Sequence, residues 1–190
     1  FLRSAQVLVG DVKAYVLGPI LLPVIFQPVG GDQPGERAVS AVPVDGPGAG
    51  AAKARELRLF QPEWEAIGPR GRKVWMMKWQ DWVLDNADHL TEVLMSETGK
   101  SRGDASLEAI TIADAINYWA GNAEEFLSDR HPKAHTPLFR VKKLTTVFRP
   151  YPLVGMIEPW NFPLAMLALD LVPALAAGAA APGGGAAVAG

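Results

Sequence analysis

The chain contains no cysteine among its 190 residues. That absence excludes a disulfide scaffold, a thiolate metal site and any thiol nucleophile supplied by these residues, and it suits a reducing compartment. Histidine is scarce as well. The three histidines are scattered through loops and helices, so no Ser-His-Asp constellation can be assembled. Charge of one sign is also lacking. A net charge of -2 and a pI near 5.9 give no electrostatic case for nucleic acid or an anionic membrane, and neither is expected as a partner.

Long apolar runs are missing too. The best candidate, Tyr15 to Phe26 (YVLGPILLPVIF), is broken by Pro19 and Pro23, whereas a spanning helix needs about 20 residues. Its flanks, Val12-Lys13 and Gln27-Pro28, do not suit a signal peptide. It reads as an extended segment seeking a partner surface, with a membrane-anchored fragment as the competing reading. A cytoplasmic location is expected.

What is present is ordinary globular material, with 49% hydrophobic and 20% charged residues, enough for about one domain. Residues 1–35 form an irregular apolar leader ending in the breaker QPVGGDQPG. ERAVSAVPVDG, from Glu36, alternates like a strand. Helical patterning then predicts helices over Ala51–Ala66, Pro69–Asp85, a third from the N-cap Asn86 to the terminating Gly99, and Asp104–Phe126. Trp75, Trp79 and Trp82 share one helical stripe, which favours buried packing over an aromatic ligand box. Ala109, Ile112, Ala113, Ile116, Trp119 and Ala120 form another stripe, facing a core.

The polar run Ser128–Pro137 reads as a surface loop, and LFRVKKLTTVF (Leu138–Phe148) as an edge strand guarded by Lys142 and Lys143. Leu153–Ile157 is an uninterrupted apolar run, as for a strand buried on both faces. Pro163 then opens a helix that Gly178 closes. The last residues, 181–190, are a low-complexity tail without a strand pattern.

Three signals mislead. Thr98-Gly99-Lys100-Ser101 resembles the end of a phosphate-binding loop, but Leu94 stands where that loop requires glycine, and the segment ends a helix. His131 and His135 have ligand-like spacing but lie in a Pro-flanked polar loop, so no metal site is expected. Glu124-Glu125 reads as a solvated helix face.

The unit Val154–Gly178 survives this weeding. Its turn, Glu158-Pro159-Trp160-Asn161-Phe162-Pro163, lies beyond the carboxyl end of a strand, where α/β proteins place cofactors and reacting groups. The Asn161 carboxamide is a neutral donor able to stabilise a developing oxyanion. Pro159 and Trp160 offer a rigid apolar wall. Equally open from spacing alone, Asn161 caps the helix and Trp160 fills core.

VGMIEPWNFPLAMLALDLVPALAAG resembles the start of the cofactor-binding domain of the NAD(P)-dependent aldehyde dehydrogenase superfamily. PEWEAIGPRGRKVW, NADHLTEVLMSETGKSRGDA and ADAINYWAG resemble the helices that precede this strand in the family. VKKLTTVFRPYPLVGMIEPWNFP suggests the succinate-semialdehyde and broad-substrate branches. The resemblance covers 36–180. It implies an α/β fold, with an amino-terminal helical layer and the first strand-turn-helix of a truncated Rossmann domain.

By this resemblance, Asn161 is the oxyanion-stabilising asparagine, and Ile157, Glu158, Pro159 and Trp160 contact NAD or NADP. The family's substrate is an aldehyde: a cysteine thiolate attacks it to form a thiohemiacetal, hydride passes to NAD(P)⁺, and the resulting thioester is hydrolysed with a glutamate as general base. The 138–150 strand would serve homo-oligomerisation. Two elements depart from the pattern: Pro182 and glycines replace a second strand with a lysine-proline-serine-glutamate segment, and the nucleophile and base are absent. The chain, which opens on Phe1, therefore reads as an inactive fragment with its last helix uncovered. The alternative is a non-catalytic module docking on a full-length relative.

Overall fold

A computed structural model describes residues 5–9, 12–16, 48–181 and 183–185, the three short segments as backbone. The strand expected from Glu36, and most of the apolar segment after Tyr15, lie outside the described residues. The leader expected to be irregular contains a hairpin. Strand β1 (Ala5–Val9) pairs antiparallel with β2 (Val12–Val16).

Four helices follow: α1 (Ala49–Ala66), α2 (Gly68–Asp85), α3 (Ala87–Thr98) and α4 (Arg102–Phe126). The sequence boundaries hold to within two residues because each break is local chemistry. Gly68 and Gly99 adopt positive φ (69° and 72°), a region that favours glycine. Ser101 caps α4 by accepting the Asp104 amide at 3.2 Å. Asn86 behaves differently from expectation. Its side chain donates backward to the Trp82 carbonyl at 2.8 Å, closing α2 instead of opening α3.

Among the described residues helix α4 is central, packing against α2, α3 and a fifth helix, α5 (Pro163–Ala177). Its buried face is rich in alanine (Ala105, Ala109, Ala113, Ala120, Ala123), with Ile112 and Ile116 filling between. Trp75, Trp79 and Trp82 are half-buried against this core, as packing residues. No helix among the described residues is long and apolar enough to cross a membrane.

The expected strand at 138–148 does not form. A short 3₁₀ turn covers Pro137–Phe139, and one antiparallel bridge joins Arg130 to Thr146, with N–H···O distances of 3.0 and 2.8 Å. β-Branched composition gives propensity, but a strand needs a ladder partner, and here only one residue meets one. The oligomerisation edge expected over 138–150 therefore has no strand behind it among the described residues.

The strand-turn-helix unit does form, with two corrections. Strand β3 is short (Met156–Glu158) and one-sided, with Met156 and Glu158 buried and Ile157 exposed between them. The glycine run, expected to lack a strand, supplies β4 (Gly183–Gly185), parallel to β3 with Ile157 opposite Gly184. Ladder hydrogen bonds are made by backbone, so a run without side-chain pattern pairs as long as its partner is placed. The crossover α5 places it, completing a β-α-β unit.

Nor is α5 uncovered. Leu167, Ala168, Leu171, Val172, Leu175 and Ala176 are all buried, because the helical layer packs over α5 where the sequence suggested that only further sheet could.

Candidate functional site

The carboxyl end of β3 opens into the turn Pro159-Trp160-Asn161-Phe162, and α5 begins at Pro163. Of the sequence-predicted residues, Ile157 is 81% exposed and Trp160 56% exposed, and Pro159 and Asn161 are exposed beside them. All four side chains are therefore open to solvent at this end of β3. Glu158 does not join them. Alternation along the strand buries its side chain beneath, toward α5, so it reaches the surface only through its backbone. Burial, and then the Asp170 carboxyl beside it, pushes the Glu158 carboxyl above the usual carboxylate range.

The two readings of Asn161 can now be separated. A helix opens with amides that lack intrahelical partners. In α5, Pro163 has none to offer, and the Met166 amide bonds to the Phe162 carbonyl at 2.9 Å. The Leu164 and Ala165 amides both donate to Oε2 of Glu108, at 2.9 and 3.0 Å. Capping is therefore performed by a carboxylate from α4, placed where the helix dipole favours negative charge. Asn161 makes no side-chain hydrogen bond among the described residues, and Trp160 does not fill core.

Glu108 is 1% exposed and pairs through Oε1 with Lys100, whose Nζ also lies 3.8 Å from the centre of the Phe162 ring. Sequence reasoning missed Glu108. The signal was its position: a carboxylate on the stripe Ala105-Ala109-Ile112 has to be paired, because burying an isolated charge is prohibitive.

The carboxyl end of α5 is held by charge of the opposite sign. Arg72 is buried on α2. It donates from Nε to the Ala176 carbonyl (3.0 Å) and from Nη1 to the Glu65 and Trp64 carbonyls (3.1 and 3.3 Å). Gln61 donates to the Gly178 carbonyl at 3.0 Å and the Trp64 indole to Leu175 at 2.9 Å. Helix α5 is thus fixed at both ends by side chains of the helical layer, and the turn before it is fixed with it. Elsewhere, His131 and His135 are exposed, and His131 lies 3.2 Å from the Thr145 hydroxyl. Glu124 is engaged by Arg70, which donates to both carboxylate oxygens at 2.9 and 2.8 Å.

A β-α-β unit with an exposed turn at the carboxyl end of its first strand is the arrangement at which α/β proteins bind ligands. Comparison with known proteins makes this specific. Residues 48–181 match the aldehyde dehydrogenase family. A Mycobacterium tuberculosis protein named as an NADP(+) succinate-semialdehyde dehydrogenase is 31% identical over 142 residues, which are 75% of this chain and 27% of that protein. The aldehyde dehydrogenase of Brucella melitensis biovar abortus superposes with a TM-score of 0.71 at 26% identity, over 95% of this chain and 35% of that one. The NAD-dependent benzaldehyde dehydrogenase of Corynebacterium glutamicum superposes with a TM-score of 0.62 at 26% identity, over 69% of this chain and 28% of that one. The chain belongs to the aldehyde dehydrogenase family. It spans about a quarter to a third of the length of these relatives.

Proposed function

We propose that this chain forms one wall of the cofactor and substrate cleft of a nicotinamide-dependent aldehyde dehydrogenase, with the Asn161 carboxamide as oxyanion donor. One observation carries the reading: Asn161 is exposed beyond β3, and Glu108 has relieved it of capping α5.

The chemistry follows from the donor. When a nucleophile adds to an aldehyde, the carbonyl oxygen gains negative charge. A carboxamide N–H stabilises that charge without changing its own protonation state, and preorganisation by a fixed turn makes the contribution large. Ile157, Pro159 and Trp160 present apolar surface suited to one face of a flat ring, so they fit the nicotinamide end of NAD or NADP. Glu158 contributes backbone alone. The first-turn amides of α5 are spent on Glu108, so phosphate groups have to be held by other residues. When bound, the nicotinamide supplies the hydride acceptor. The nucleophile is a thiolate supplied by residues other than these 190, among which there is no cysteine.

The name of the Mycobacterium tuberculosis relative makes succinic semialdehyde the first substrate to try. The test is complementation. The chain is co-expressed with the remainder of that relative, and reduction of NADP(+) is followed by absorbance. The chain alone is expected to be inactive and the assembled pair active, with Asn161→Ala lowering kcat by about 10²–10³. Oxidation of aldehyde by the chain alone, or an Asn161→Ala assembly as fast as the parent, would refute the reading. Titration of the chain with reduced cofactor provides a second check, with saturable tryptophan quenching that Trp160→Phe abolishes.

A further inference from the structure

We infer that Lys100 and Glu108 are a positioning pair for Asn161, acting through the turn and not through contact with substrate. The proposal rests on the reading of Asn161 given above and adds to it the residues that set its carboxamide in place. The two charges arrive from one local feature. Gly99, at φ 72°, ends α3 and turns the chain, bringing Lys100 to the start of α4, and Glu108 faces the same interior two turns along.

Their contacts fall on the residues that follow the asparagine. The Lys100 ammonium lies over the ring of Phe162, the next residue. Glu108 Oε2 holds the amides of Leu164 and Ala165, three and four residues on. The same carboxylate uses Oε1 for Lys100, so the contact on the ring and the contact on the helix are one connected unit. Both members are largely withdrawn from water, with side chains 11% and 1% exposed, so the pair is weakly screened. A turn fixed on its carboxyl side by this pair, and on its amino side by the β3–β4 ladder, has little freedom at Asn161.

A capping asparagine would have its carboxamide oxygen held against the first amides of α5, which fixes where its N–H groups point. The carboxylate from α4 takes those amides, so the turn sets the orientation of the carboxamide. If the pair is only structural, weakening it lowers stability and leaves the geometry of Asn161 as it was. If it positions the turn, the turn responds locally.

The experiment uses the full chain and needs no cofactor. Amide hydrogen exchange and the Asn161 side-chain amide signal, assigned by its loss in Asn161→Ala, are recorded for the parent, Glu108→Gln, and Glu108→Gln/Lys100→Met. The last variant is neutral and guards against misfolding caused by an unpaired buried ammonium. Ile116→Val serves as the comparison for general core weakening.

Exchange at Leu164 and Ala165 is expected to rise about tenfold or more in the double variant, because a charged acceptor is lost. The Asn161 side-chain signal should shift, while α4 amides from Ile112 to Ala120 keep their protection. Ile116→Val should move neither local reporter. Unchanged reporters in both variants, or a uniform loss of protection that Ile116→Val reproduces, would overturn the proposal. In the complemented enzyme, Glu108→Gln should lower kcat and leave KM in place. If the local reporters move as expected but Asn161→Ala leaves the rate untouched, the positioning stands and the oxyanion role fails.

Discussion

Replacing Arg72 by methionine tests how α5 is anchored. Arg72 is 3% exposed, and its guanidinium meets three carbonyls, two at 3.0 and 3.1 Å and a third, weaker, at 3.3 Å. All three belong to last turns, Ala176 in α5 and Trp64 and Glu65 in α1, where carbonyls have no helical partner. Each good bond from a charged donor contributes about 1.5–3 kcal/mol net, so the two short ones contribute about 3–6 kcal/mol. Methionine offsets part of this, since it needs no desolvation of a charge and refills the volume. That desolvation is real, since burial is the main influence lowering the Arg72 pKa, with Glu65 opposing it.

The expected net loss is about 3–4 kcal/mol, a large share of the roughly 5–15 kcal/mol that holds a domain together. Urea unfolding followed by far-ultraviolet circular dichroism reads it. With a slope of about 2 kcal/mol per molar, the midpoint should fall by about 1.5–2 M at unchanged slope. Arg72→Lys keeps the charge but loses the planar fork, and should recover less than half of the loss. A loss below about 1 kcal/mol for methionine, or a lysine variant as stable as the parent, would refute the claim that the fork ties α1 to α5.

Three further outcomes follow from the same geometry. Gly99→Ala meets no atom within 4 Å and should lose only the about 1–2 kcal/mol of a left-handed backbone. Gly178→Ala, at φ 105° with the added carbon 3.2 Å from Arg72 Nη1, should lose at least about 1 kcal/mol more in the same denaturation assay. Glu158→Gln should raise the melting temperature at neutral pH. The raised native pKa means the folded state binds more protons than the unfolded one, so parent stability falls as pH rises from the ordinary carboxylate range through the raised value. The gain from glutamine should vanish on acidification below that window, and a gain independent of pH would contradict the burial explanation. Trp160→Ala should leave stability within about 0.5 kcal/mol of the parent, because the ring is largely exposed; a loss above about 2 kcal/mol would return Trp160 to the core.

Periodicity and punctuation were enough to read most of the helical layer. Helices α1 to α5 are bounded by Gly68, Gly99, Ser101, Pro163 and Gly178, residues whose backbone or side-chain chemistry acts within a few positions. The apolar stripe of α4 likewise declares its buried face, and the strand, turn and helix around Asn161 are legible in the run from Met156 to Gly178.

What depends on a distant partner was not legible. The 138–148 segment has strand composition but no ladder, whereas Gly183–Gly185 has no strand composition and pairs with β3, since backbone pairing is decided by what lies alongside. Whether Asn161 caps a helix or stands free was undecidable from spacing, because the residue that settles it, Glu108, lies 56 positions from the amide it holds. Arg72 and Ala176, 104 apart, pose the same problem at the other end of α5. Local rules act through neighbours in the chain, while buried charge is satisfied through neighbours in space, and only the folded molecule brings those together.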